Sequence, residues 1–197
     1  MRIIAAILSL GLCGCASAPN LEPLEWSSLG TDCYDRGLSE VLLFPDSSRT
    51  MLSRTDIRIG RLPDSGNGSG LVAHFRQGLN GPFGQSTRQP QLFLAVGDWR
   101  KSCSVLIEHV NCPQAARIYD QLKVKSIPVG HAFDDSVGLT VLHGTEYLLS
   151  SRDGNGNQMD WSYVGSDHPL QDFLDTALDS LSQCAAPASA QFEQHGR

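Results

Sequence analysis

The chain predicts an α+β domain, a mainly antiparallel sheet with two amphipathic helices, stapled by disulfides. Three observations lead there. Short apolar runs, several of them alternating with period two, recur between residues 40 and 164 and are separated by Gly, Pro, Asn and Asp. Two other stretches, 113–124 and 170–181, carry apolar residues at helical spacing instead. Four of the six cysteines are spread from just before these stretches to just after them, an even number of cross-linkable thiols. Runs of strands interrupted by a few helices favour an antiparallel α+β arrangement over a parallel one.

In chain order, residues 40–44 (EVLLF) form an apolar run stopped by Pro45-Asp46, the pattern of a buried strand. Over 55–62, Ile57, Ile59 and Arg61 alternate with Arg58 and Gly60, which predicts an edge strand. The stretch 64–70 (DSGNGSG) is a turn, and 71–75 is the partner strand. Residues 77–90 (QGLNGPFGQSTRQP) form a loop of unusual length for a compact domain, a length associated with function. Residues 91–96 are strongly apolar, Gly97-Asp98 suits a two-residue hairpin turn, and 99–110 returns carrying Cys103. Asn111 predicts an N-cap, with Pro113 near the first helical position. The helix 113–124 presents Ala115, Ile118, Tyr119 and Leu122 on one face.

Beyond Pro128, strands are expected at 137–142, 145–151 and 159–164, the last two joined by the turn DGNGN at 153–157. Leu170, Phe173, Leu174, Ala177, Leu178 and Leu181 then recur at i, i+3, i+4, i+7, i+8 and i+11. That spacing predicts an amphipathic helix ending near Cys184. Residues 185–197 have low hydrophobicity and no period, which predicts a disordered tail.

The amino terminus has the parts of a secretory signal: Arg2, an apolar core over 3–12, and small residues before a cut. A core of roughly ten residues is half of the ~20 that cross a bilayer, so no permanent span is expected there. Leu12-Cys13-Gly14-Cys15 resembles the lipobox of bacterial lipoproteins. Gly14 suits the position before the cut better than the bulky Leu12, which selects Cys15 over Cys13. The resemblance implies lipid on the Cys15 thiol and an acylated amine. Ala16 in place of Asp implies the periplasmic side of the outer membrane. At about 0.8 kcal/mol per buried methylene, several acyl chains anchor stably where one would not. The expected organisation is a signal over 1–14, a lipidated tether over 15–25, one α+β domain over 26–184, and the tail over 185–197.

Removing residues 1–14 leaves 197 − 14 = 183 residues with a net charge of 14 − 21 = −7. That length suits one domain. The acidic balance argues against nucleic acid and against a generally basic membrane-hugging surface, and is compatible with a basic protein partner. With Cys13 removed and Cys15 lipidated, Cys33, Cys103, Cys112 and Cys184 remain, with three possible pairings. Proximity in sequence favours Cys103–Cys112, leaving Cys33–Cys184 to tie the start of the domain to its last helix. The loop-entropy relation assigns these about 2.7 and about 5 kcal/mol.

The residue types that carry chemistry form no catalytic, metal or cofactor motif. Asp153, Asn155 and Asn157 match alternate calcium ligands, with Asp160 beside them, but Gln158 and Val164 stand where an EF-hand needs glycine and glutamate. A hairpin turn explains the same residues. Gly66, Gly68 and Gly70 lack the spacing of a phosphate-binding loop. His74, His109, His131, His143, His168 and His195 form no metal-ligand pair, and His131 with Asp134 or Asp135 reads as a histidine beside an acidic turn. Asp172, Asp175 and Asp179 make a single-sign row on the last helix, which weakens the helix slightly and suits docking of a basic partner.

Tether, disulfides and acidic surface together resemble periplasmic immunity lipoproteins, which neutralise cell-wall-directed toxins. The resemblance implies a non-enzymatic protein-binding module without cofactors, anchored to a membrane. An accessory lipoprotein of an envelope assembly or secretion complex, and a periplasmic hydrolase, are the alternatives.

Overall fold

The computed structural model describes residues 31–39, 56–63, 68–76, 91–107, 109–127, 144–153, 157–165 and 168–195. The lipobox with Cys15, the tether, the 40–44 and 137–142 runs, the 77–90 loop, His131 and His143 lie outside them.

Seven strands form one wholly antiparallel sheet: β1 (Thr31–Tyr34), β2 (Asp56–Leu62), β3 (Gly70–Arg76), β4 (Gln91–Gly97), β5 (Ser102–Ile107), β6 (Glu146–Arg152) and β7 (Gln158–Val164). Their spatial order is β1-β5-β4-β3-β2-β6-β7. β2 to β5 is a meander. The β6–β7 hairpin adds to its open side, and β1 closes the far edge. The strand expected at an edge, β2, is therefore internal, held between β3 and β6. Its alternation was read correctly, but its second face carries a buried arginine, which a single strand does not reveal.

Among the described residues three helices of ten residues or more accompany the sheet, where two were expected: α1 (Gln114–Lys123), α2 (Gln171–Ser182) and α3 (Ala186–His195). α1 leans on α2, α2 crosses β2 and β3, and α3 crosses β1, β4 and β5. All pack on the face formed by Ile57, Ile59, Leu71, Ala73, Phe75, Leu92, Leu94 and Val96, the main core. α3 replaces the expected disordered tail. Ala185 and Ala188 are buried and Phe192 packs behind them, at i, i+3 and i+7, so small side chains carry the period and let the helix approach closely. Pro187 sits in its first turn, where the missing N–H costs no helical bond.

Two further expectations are corrected at the ends of elements. α1 starts without the Asn111 side-chain cap. A short 3-10 turn, His109–Asn111, precedes it, and the Ala115 N–H bonds the Cys112 carbonyl. The β4–β5 connection is longer than two residues. Gly97 pairs with Ser102, and Asp98 Oδ1 accepts the N–H groups of Arg100 (2.6 Å) and Lys101 (2.8 Å). Aspartate thus builds the turn with its own side chain.

The disulfide pairing also differs from the expected one. Cys33 bonds Cys103 and Cys112 bonds Cys184. Cys33 and Cys103 lie directly opposite each other on β1 and β5, so the bond staples an edge strand of only four residues to the sheet. Cys112–Cys184 ties the entry of α1 to the exit of α2. Proximity in sequence is a poor guide here because Cys103 stands near the start of β5, opposite Cys33, and the strand carries the chain away from it before Cys112 is reached at the α1 entry.

Candidate functional site

The acidic row on α2 shows how the helical layer is fixed. Arg61 lies on the core-facing side of β2, in line with Ile57 and Ile59, and a cation there needs a carboxylate. Its Nη1 bonds Asp175 Oδ1 at 2.7 Å and its Nη2 bonds Asp179 Oδ1 at 2.9 Å. Tyr147 of β6 donates its hydroxyl to Asp175 Oδ2 at 3.0 Å, and Gln171 Nε2 donates to the same hydroxyl at 3.3 Å. Burial and the bond to Asp175 both raise the Tyr147 pKa. The two carboxylates raise that of Arg61, outweighing the burial that opposes them. Asp175 and Asp179 are thus neutralised within the domain, and Asp172 alone of the row is exposed without such a bridge. Two of the three aspartates of the row form a helix–sheet clamp with Arg61.

The second face of the sheet holds charges that no motif announced. Antiparallel register sets Arg76, Asp56 and Arg152 side by side across β3, β2 and β6, with His74, Arg58 and Ser150 in the next row and Asp160 beyond them on β7. Arg58 is buried, and burial brings its pKa down to about 10 against the pull of Asp56. Burial likewise lowers that of His74 to about 4, more than the neighbouring Asp56 raises it, so the imidazole is neutral at pH 7. His74 Nε2 stands 3.9 Å from Asp56 Oδ1, and its ring lies 5.8 Å from that of Phe93. Asp160 accepts from Ser150 Oγ (2.5 Å) and Gln158 Nε2 (2.7 Å). Leu38, Val72 and Ala95, with Leu62, form a second, smaller apolar cluster. The charged residues at alternate positions of β2 and β3 were the available signal. Their meaning depends on which strands are neighbours.

Of the DGNGN stretch, Asp153 and Asn157 bond each other, and Asn155 lies outside the described residues. Asp153 accepts from the Asn157 N–H at 2.9 Å and from Asn157 Nδ2 at 2.7 Å. No cluster of three or more metal-ligating side chains occurs among the described residues. His168 is buried at the entry to α2, where Nδ1 accepts the Leu170 N–H at 3.1 Å. Its ring packs against Trp161 (4.7 Å between centroids) and Tyr163 (5.0 Å).

Among the described residues the exposed large apolar side chains are Trp99 in the β4–β5 turn, Val110 and Val124 on either side of α1, and Met159 and Val164 on β7. On β7, Met159 is 40% exposed and Val164 48%. β7 is the outermost strand of the described sheet, and it carries none of the Lys or Pro that usually blunt an edge. No family model, curated protein or solved structure matches the chain.

Proposed function

We propose that the chain is a lipid-anchored protein of the bacterial envelope, held to the periplasmic side of the outer membrane through Cys15. It acts there as a protein-binding module of the immunity or inhibitor kind. The observation that carries the reading is the pair of disulfides in a domain that follows a lipobox. Both bonds close long loops, 70 and 72 residues apart in sequence, as suits an oxidising compartment. Together with the Arg61 clamp they hold the helices and the edge strand β1 in place, the rigidity that a docking scaffold uses to limit the entropy lost on binding. The contact surface we assign is the β7 edge, where Met159 shares a face with Trp161 and Tyr163 and Val164 stands on the other face, rather than the acidic row of α2. Strand addition would satisfy the open backbone edge while the side chains select the partner. The net charge of −7 on the mature chain favours a basic partner by steering its approach.

The test is binding of the purified mature protein to an exported, basic wall-directed toxin encoded beside its gene. Calorimetry and inhibition of wall hydrolysis are the two readouts. Sub-micromolar 1:1 binding that Met159→Arg weakens at least tenfold is the expected result. Absence of binding at low salt, or hydrolysis of wall substrate by the protein itself, would overturn the reading.

A further inference from the structure

The turn between β4 and β5 presents the most exposed tryptophan of the described residues on a rigid mount. Trp99 is 57% exposed, and the Arg100 guanidinium lies 3.9 Å over its ring. The turn is braced from three directions. Asp98 Oδ1 holds two of its N–H groups, and the Leu38 N–H bonds the Asp98 carbonyl at 2.7 Å. Ser102 Oγ donates to the Arg36 carbonyl at 2.9 Å, and Lys101 Nζ donates to the last-turn carbonyl of His195 on α3 at 3.1 Å. Gly37 sits so close that a Cβ there would collide with the Trp99 backbone. Arg100 covers one face of the ring and the rest stands in water on a braced backbone, an exposure that needs an account.

Arg100 and Lys101 lie on this turn and Arg36 on the segment packed against it, with Asp35 and Asp98 the acidic residues among them. The lysines at the end of α1 are held locally, Lys123 by Asp120 at 2.7 Å and Lys125 at 4.4 Å from the Phe173 ring. β1 enters the domain at Thr31 and reaches Tyr34, opposite Ser102 at the base of the turn, within four residues. At about 3.3 Å per residue that is roughly 10 Å. The 15 residues 16–30 that join Cys15 to β1 reach up to roughly 50 Å when extended. The anchor therefore permits the turn to touch the bilayer that holds the chain. Amphipathic rings settle at the headgroup level of a bilayer, and basic side chains beside them are drawn to anionic lipid.

The geometry points to the Trp99 turn as a membrane-docking tip. Trp99 inserts at the headgroup level and Arg36, Arg100 and Lys101 contact anionic phospholipid, which sets the orientation of the domain on its tether. This inference rests on the lipid-anchor reading of Cys15, and the test keeps the two apart.

The full mature chain with Trp26→Phe and Trp161→Phe leaves Trp99 as its one tryptophan. Its fluorescence is followed on vesicles of phosphatidylcholine, with or without phosphatidylglycerol, carrying brominated acyl chains. The expected result is a blue shift and quenching of Trp99 that require phosphatidylglycerol and are lost in Arg100→Glu/Lys101→Glu. For the same chain with Cys15→Ser, each neutralised basic residue is expected to lower vesicle partitioning roughly fivefold. Sedimentation with the vesicles reports the anchor separately. A chain that sediments through its lipid while Trp99 stays unquenched overturns the docking tip and leaves the anchor standing. A chain that carries no lipid but is quenched on added anionic vesicles overturns the anchor and supports the tip. Trp99 shielded by an added protein partner and by neither vesicle overturns it in favour of a protein contact.

Discussion

The disulfide Cys112–Cys184 offers the sharpest test of how the domain is held. Cys112→Ala/Cys184→Ala removes a cross-link that closes a 72-residue separation. In the chain-entropy relation such a loop restricts the unfolded ensemble by about 4.4 kcal/mol at 25 °C. The loop closed by Cys33–Cys103 ends before this one begins, so to first order the two contributions add. The assay is urea unfolding of the wild type and the double variant under non-reducing conditions, followed by circular dichroism. The expected outcome is a loss of about 4 kcal/mol, equivalent to roughly 8–16 °C in melting temperature for a domain of this size. Both sulfur atoms are buried on the main core, so the alanine pair adds a small packing loss in the same direction. A loss below about 1.5 kcal/mol would refute the loop argument. Peptide mapping that finds Cys103 joined to Cys112 would refute the pairing on which it stands.

Three further outcomes follow from the packing. Arg61→Met removes the cation that Asp175 and Asp179 share and is expected to cost about 1 kcal/mol in chemical denaturation, discounted for a pair about one-third exposed. Asp175→Asn should cost more than Asp179→Asn, because Asp175 also accepts from Tyr147, and the reverse order would remove the clamp. His74 titrates at about 4 in the folded protein against 6.5 when unfolded, so between those values the unfolded chain binds the extra proton. Its contribution is complete above pH 6.5 and is lost as pH falls towards 4, by up to about 3 kcal/mol. His74→Phe should flatten that part of the pH–stability curve, and an unchanged slope would refute the assignment. Asp98→Ala strips the side-chain acceptor from the β4–β5 turn and is expected to destabilise by about 1 kcal/mol and to speed amide exchange at Arg100 and Lys101. Unaltered exchange there would show that the turn holds itself without Asp98.

Periodicity along the chain carried much of the fold. Leu174, Ala177, Leu178 and Leu181 repeat at helical spacing and line the buried face of α2, and Tyr147 and Leu149 alternate on β6. These patterns report which way a side chain faces, and burial of apolar surface then enforces that direction. α3 escaped this reading because Ala185 and Ala188 register as neither polar nor strongly apolar, yet small side chains at close range are what its packing requires. The clamp was partly legible. Arg61 falls on the apolar side of β2, which demands a buried or half-buried counter-charge, and α2 carries aspartates four residues apart. Nothing local says that these two elements meet.

By itself, then, the sequence determined the antiparallel, disulfide-bearing character of the domain and the inward faces of most described strands and of two helices, because those follow from the rotation per residue along a single element. Only the tertiary structure decided that β2 is internal and that Cys33 meets Cys103 while Cys112 meets Cys184. It alone aligned Arg76, Asp56 and Arg152 across three strands, and it paired Asp175 and Asp179 of α2 with Arg61. The physical reason is common to all four. Each depends on which elements become neighbours, and that is settled by the joint burial of distant apolar faces, with charges pairing wherever the resulting register brings them together.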